Sequence, residues 1–124
     1  MEALPNAKIV VDKFHVVSKA NAAFDVVRRK IAKESNNGAG LGLKRAHKLF
    51  EKRRDDLTDE QFLTVSGWLN NFPLLAAAYD LKERLYCIYD AETPEEAWGE
   101  YLHWESTIPK ELSKPFRAVK TAFR

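Results

Sequence analysis

The stretch PLLAAAYDLKERLYCIY, residues 73–89, carries the strongest folding signal in the chain. Its main apolar positions recur four, three, four and three residues apart: Leu74, Ala78, Leu81, Leu85 and Ile88. This spacing places all of them on one face of an α-helix, as in a helix that packs lengthwise against its neighbours. Pro73 suits the first turn, because proline lacks the backbone N–H that would be unpaired there. The stretch therefore predicts a central core helix.

Helical periodicity continues on both sides of this stretch. Apolar residues three and four apart predict further helices over about 14–34, 43–54, 59–70 and 94–106, and a last one from Pro109 onward. A glycine-rich segment, residues 38–42, is expected to end the first helix and to separate it from the second. Thr58 and Thr93 each begin a capping-box pattern, which marks the start of a helix. We therefore predict a mainly α fold, a bundle of about six helices.

Seven apolar residues from different predicted helices are expected to share one core. They are Phe24, Val27, Leu81, Leu85, Tyr101, Phe116 and Val119. With 45% hydrophobic residues in a chain of 124, there is enough apolar material for a single domain with one packed core.

Residues 8–12, Lys-Ile-Val-Val-Asp, form the one β-branched run and predict a short strand. A lone strand cannot pair its backbone N–H and C=O groups. We therefore expect residues 1–12 to be the remnant of a larger, truncated sheet and residues 13–124 to be a helical region of the same domain. An unpaired strand edge also offers a route to self-association.

The composition excludes several classes of protein. No apolar run approaches the roughly 20 residues that a membrane-spanning helix needs. The N-terminus lacks the pattern of a secretory signal. We therefore expect a cytoplasmic protein without a membrane partner. The only cysteine, Cys87, lies within the predicted core helix, where we expect a buried and unreactive side chain.

The charges fall into three blocks along the chain. Residues 13–54 hold twelve Lys/Arg and three Asp/Glu, residues 55–105 hold two and twelve, and residues 106–124 hold five and one. The first block is typical of contact with a polyanion such as DNA, although a solvated face or pairing with the acidic block gives the same count. The candidate phosphate contacts are Arg28, Arg29, Lys30, Lys44, Arg45, Lys48, Lys52 and Arg53.

Asp12, at the C-terminal end of the predicted strand, is the best candidate for chemistry. A carboxylate on a rigid element can bind a hard divalent cation. An aspartate directly before a helix can equally act as its N-cap, and the residues alone leave both interpretations open. His15, one helical turn later, could orient a phosphate or a metal-bound water, or it could be an ordinary surface histidine. His47 and His103 lack further ligands at metal-binding spacing, so we expect both to be structural.

The string IVVDKFHVV, residues 9–17, resembles the region around the second catalytic aspartate of bacterial insertion-sequence transposases of the DDE class. Asn21 and residues 25–29 extend the similarity. Further matching pieces are residues 73–76, 78–79, 81–83, 88–89 and 114–116, so the resemblance covers nearly the whole chain.

This resemblance implies an RNase H-like sheet in which two aspartates and a glutamate bind two divalent ions, Mg²⁺ or Mn²⁺, for DNA cleavage and strand transfer. Asp12 would be the second carboxylate and a metal ligand, with His15 beside it. The residues that follow would be the helical insertion that precedes the glutamate. The first aspartate and the glutamate find no match here, so we expect a transposase fragment that is inactive alone. The alternative is a non-catalytic helical module that binds nucleic acid or a partner protein through its basic half.

Overall fold

The computed structural model describes residues 13–34 and 38–123. Within these ranges the chain is helical and contains no strand, which confirms the mainly α fold. The helices are α1 (Lys13–Glu34), α2 (Gly38–Arg45), α3 (His47–Glu51), α4 (Asp59–Asn71), α5 (Pro73–Asp90), α6 (Pro94–Ser106) and α7 (Arg117–Phe123). None of the described helices is long and apolar enough to cross a membrane. The predicted strand at residues 8–12, and the self-association inferred from it, lie outside the described residues.

Helices α1 and α5 form the centre of the bundle. Helix α1 packs against α2, α5 and α7, while α5 packs against α1, α4 and α6. All seven residues predicted for the core are at most 3% exposed: Phe24, Val27, Leu81, Leu85, Tyr101, Phe116 and Val119. The prediction of one shared core is therefore confirmed, since these residues belong to a single buried cluster.

Three aromatic rings tie α3 to the two central helices. The ring centroid of Phe24 in α1 lies 5.1 Å from that of Phe50 in α3 and 5.9 Å from that of Tyr79 in α5. Phe50 and Tyr79 are 6.0 Å apart and meet edge to face. Such pairs add to the free energy of burying the rings. This contact anchors the short helix α3, which carries Lys48, on the core.

Two helix starts follow from local sequence. At α4, the Thr58 hydroxyl accepts the Gln61 N–H at 3.1 Å, and the Gln61 side chain accepts the Thr58 N–H at 3.0 Å. The predicted capping box is therefore complete. At α6, the Thr93 hydroxyl accepts the Glu96 N–H at 3.1 Å, and Pro94 occupies the first turn. Each cap satisfies a backbone donor that would otherwise be unpaired.

The predicted helix over residues 43–54 is wrong at both ends. The glycine-rich segment is not a helix-breaking loop, because it forms the first part of α2. Ala46 then separates α2 from α3, which ends at Glu51. Gly42 lies within α2, where a Cβ would come within 3.0 Å of two ring atoms of Trp68. The missing side chain therefore lets the Trp68 ring approach the helix backbone closely.

The last predicted helix is interrupted at its start. A 3-10 turn at Lys110–Leu112 and further turn residues precede α7, so regular α-helix begins at Arg117 rather than at Pro109. Pro115 explains part of this delay, because a proline disfavours α conformation in the residue before it. Leu112 and Phe116 are nevertheless buried, as the apolar period predicted.

The prediction that Cys87 is buried is wrong, because the thiol-bearing side chain is exposed. Its neighbours Leu85 and Ile88 occupy the buried face of α5. Successive residues on an α-helix turn by about 100°, so Cys87 points away from that face.

Candidate nucleic-acid interface

Four exposed cations of the basic block, residues 13–54, lie around the junction of α2 and α3. Lys44 and Arg45 at the end of α2, Lys48 in α3 and Lys52 just after it are all exposed. Phe50, two residues from Lys48, is buried in the core. Two residues are about 200° apart on a helix, so anchoring Phe50 inward directs Lys48 outward. The fold thus presents a cluster of positive charge to solvent.

Of the candidate phosphate contacts on helix α1, Arg29 and Lys30 are exposed. Arg29 Nε lies 3.0 Å from an Asp25 carboxylate oxygen, but its side chain is 65% exposed. An exposed ion pair of this kind contributes little and is screened by salt. Arg29 therefore remains accessible to an anion in solution.

Arg28 does not lie on this surface, and its prediction as a phosphate contact needs correction. It is 4% exposed, and its Nε donates to Asp25 Oδ1 at 2.8 Å. The reason is its helical position: Arg28 follows Phe24 by four residues and precedes Ile31 by three, so it shares their buried face. Arg28 is therefore not part of the candidate interface.

Arg53 is also engaged within the molecule. Its Nη2 lies 2.6 Å from Asp90 Oδ2, and its guanidinium carbon lies 4.7 Å from the centre of the Tyr86 ring. The hydrogen bond to Asp90 raises the pKa of Arg53 above its ordinary value. Here a cation of the basic block forms an ion pair with a carboxylate of the acidic block. Arg53 is therefore a weaker candidate for phosphate contact than Lys44 or Lys48.

A buried lysine, Lys82, holds the last residues of the basic block in place, and its burial was not predicted from the sequence. Lys82 is 1% exposed, and its Nζ donates to the Lys52 carbonyl at 3.2 Å and to a Glu83 carboxylate oxygen at 2.8 Å. The other Glu83 oxygen accepts the Arg54 N–H at 2.9 Å. Lys82 and Glu83 thus hold residues 52–54 against α5. The signal for burial was present, because Lys82 follows the core residue Ala78 by four.

Burial also changes the titration of this cluster. Loss of solvent lowers the pKa of Lys82, while its hydrogen bond to Glu83 opposes that change. Its Nζ lies 4.8 Å from the centre of the Tyr79 ring. Burial, reinforced by the Glu83 carboxylate, raises the pKa of Tyr79 to about 12. The cluster is therefore a packed part of the fold rather than a solvated charged face.

The predicted catalytic residues are only partly within the described structure. Asp12 lies outside the described residues, so its role as metal ligand or helix cap stays a prediction. His15 is described and lies exposed near the start of α1. Among residues 13–34 and 38–123, no three His, Cys, Asp or Glu side chains are grouped so that they could hold a metal ion.

Comparison with known proteins identifies the family. The family model DDE_Tnp_ISL3, described as a transposase, matches residues 1–124. No curated protein and no solved structure is significantly similar to the chain. The matched range includes Asp12, helices α1 to α7 and the exposed cations of the basic block. The resemblance to DDE transposases is thereby confirmed, and the chain belongs to the DDE_Tnp_ISL3 transposase family.

Proposed function

We propose that this chain serves DNA transposition in two ways: it supplies one catalytic carboxylate, Asp12, and it holds DNA through its helical region. The observation that carries this proposal is the family match, which extends over the whole chain and includes Asp12. Residues 1–12 would then contribute a strand to the RNase H-like catalytic sheet, and residues 13–124 would be the helical insertion after it. We expect the protein to act on DNA in the cytoplasm.

The reaction of this family needs more carboxylates than this chain matches. Two divalent ions supply charge stabilisation for the attacking and leaving oxygens of a phosphodiester. A single carboxylate cannot hold two hard cations that each need several oxygen ligands. Asp12 therefore requires the other aspartate and the glutamate of the family's active site as neighbours. We propose that the 124 residues alone neither cleave nor join DNA.

The exposed cations give the helical region its role. We propose that Arg29, Lys30, Lys44, Arg45, Lys48 and Lys52 contact DNA phosphates. Lysine and arginine contacts to the backbone position a duplex without reading its sequence. Binding by this surface should therefore be weak, independent of sequence and strongly dependent on salt.

The proposal is tested by measuring duplex DNA binding of the chain by fluorescence anisotropy over a range of salt concentrations. Each lost phosphate contact lowers the slope of log K against log salt by about 0.9. Reversing two charges with Lys44→Glu and Lys48→Glu should weaken binding severely and reduce the slope. The double variant Lys110→Glu and Lys120→Glu makes the same change of net charge outside this surface and is the control.

Two results would contradict this part of the proposal. One is that the wild-type chain binds no duplex at low salt. The other is that the Lys44 and Lys48 variant binds as well as the control variant. In either case the exposed cations at the junction of α2 and α3 would be a solvated face. If wild-type chain binds no duplex, the helical region would instead serve as a protein-interaction or structural module.

A further inference from the structure

An open cleft of about 1000 Å³ lies between the start of α1 and the C-terminal segment. His15 and Lys19 line it from α1, and Lys114, Pro115, Arg117 and Thr121 line it from the other side. Four of these six side chains are cationic or become so on protonation. None of them is among the exposed cations at the junction of α2 and α3.

The fold itself brings these distant residues together. Helix α7 packs against α1, and the buried Val119 of α7 shares a core with Val16 and Ala20 of α1. His15 and Lys19 are four residues apart, so they lie on one side of α1. Lys114 and Arg117 stand on the facing segment and are both exposed. Packing of the apolar faces thus sets two basic edges opposite each other.

The described side chains that line this cleft are basic, polar or apolar. No aspartate or glutamate is among the described residues that line it. The ion pairs found in residues 13–34 and 38–123 engage Arg28, Arg29, Arg53, Lys82 and Arg84, and none of the cleft cations. Cations that face each other across the cleft repel, so a bound anion would relieve an unfavourable interaction.

We propose that this cleft binds the sugar-phosphate backbone of a DNA strand. Arginine and lysine both bind phosphate, arginine through paired hydrogen bonds and lysine as a point charge. The open shape admits a chain that passes through, rather than a small ligand enclosed on all sides. Asp12 precedes His15 by three residues in the sequence. A strand in the cleft is thereby held by residues next in sequence to the candidate catalytic carboxylate.

This inference rests on the proposed function and goes further, since it assigns DNA contact to Lys19, Lys114 and Arg117. None of these is among the six cations proposed above to contact DNA phosphates. The two proposals use different residues. They can therefore be tested separately with the same DNA.

The test compares duplex binding by the Lys114→Glu/Arg117→Glu variant with binding by the Lys110→Glu/Lys120→Glu control. Both carry closely matched charge changes within the same C-terminal segment. We expect the cleft variant to bind at least tenfold more weakly than the control, with a salt slope lower by about 1.8 for two lost contacts. In the ¹⁵N-labelled wild-type chain, DNA should shift the backbone amide resonances of Lys19, Ala118 and Thr121.

The possible outcomes separate the two proposals. If the cleft variant matches the control while Lys44→Glu/Lys48→Glu loses binding, the cleft proposal is wrong and the proposed function stands. If wild-type chain binds no duplex, both fail. If the cleft variant is unfolded by circular dichroism, the neutral Lys114→Gln/Arg117→Gln variant replaces it, and unchanged amide resonances at the cleft in wild-type chain overturn the inference.

Discussion

Replacing Lys82 by methionine should destabilise the fold strongly, although methionine suits a buried helix position. The Lys82 side chain is 1% exposed, and its Nζ donates to the Lys52 carbonyl and to Glu83. Methionine keeps an unbranched stem near the Tyr79 ring but removes both hydrogen bonds and the positive charge. The Glu83 carboxylate, 11% exposed, then loses its ion-pair partner.

The expected magnitude follows from the burial of the pair. Removing one member of a buried ion pair costs about 3 to 5 kcal/mol, because an uncompensated charge stays behind. Glu83 still accepts the Arg54 N–H at 2.9 Å, which places the expected loss near the lower end, about 3 kcal/mol. The double change Lys82→Met/Glu83→Gln also removes the stranded charge. It should recover most of the lost stability, since neutral replacement of a buried pair is often close to neutral.

The assay is equilibrium unfolding in urea, followed by circular dichroism, for wild type, both single variants and the double variant. The double-mutant cycle yields the coupling free energy between Lys82 and Glu83. Lys110→Met at an exposed position is the control and should change stability by less than about 0.5 kcal/mol. A loss below about 1 kcal/mol for Lys82→Met would refute the argument that this pair holds residues 52–54 on α5.

Three further substitutions test the packing around two helical glycines and the burial of the Tyr79 hydroxyl. Gly99→Ala should stabilise the fold by about 0.5 to 1 kcal/mol in urea unfolding, because nothing lies within 4 Å of the new Cβ in α6. Gly42→Ala should give no such gain, because its Cβ would meet the Trp68 ring at 3.0 Å, and an equal gain at both sites would contradict this packing. Burial raises the pKa of Tyr79 from 10.0 to about 12, so the folded state keeps this proton to higher pH than the unfolded state does. The resulting stability is present below pH 10 and lost as the pH rises through about 12, by at most about 3 kcal/mol. Tyr79→Phe should remove that alkaline loss in unfolding measured across this range, and an unchanged pH profile would contradict the assignment.

Local sequence signals predicted much of the fold because they depend on residues only a few positions apart. The Thr58 capping box and the Thr93 cap mark helix starts through contacts within three residues. The spacing of Leu81 and Leu85 identified the buried face of α5 in the same way. Arg28 and Lys82 were predictable in principle as well, since each falls on an apolar face, but charge alone suggested a surface position.

Features that depend on distant parts of the chain could not be predicted. From local sequence, Gly42 is predicted to break a helix. Its role becomes clear only from its contact with Trp68, 26 residues later in the chain. The cleft joins residues near His15 to residues near Arg117, and no periodicity connects positions so far apart. The sequence showed only that the C-terminal block is basic. Asp12 was singled out by its place after a β-branched run and by family resemblance, and it lies outside the described residues.

The central claim, that Asp12 is a catalytic metal ligand in DNA transposition, is tested most directly by Asp12→Asn in a transposase that contains these residues together with the other two carboxylates. The measurement is the rate of DNA strand cleavage and transfer with Mg²⁺ or Mn²⁺. Asparagine lacks the negative charge that binds the cation, so we expect the rate to fall by orders of magnitude while folding and DNA binding are unchanged. Asparagine caps a helix about as well as aspartate does. A variant that still cuts and joins DNA at a near-normal rate would therefore contradict the catalytic assignment and be consistent with a helix cap.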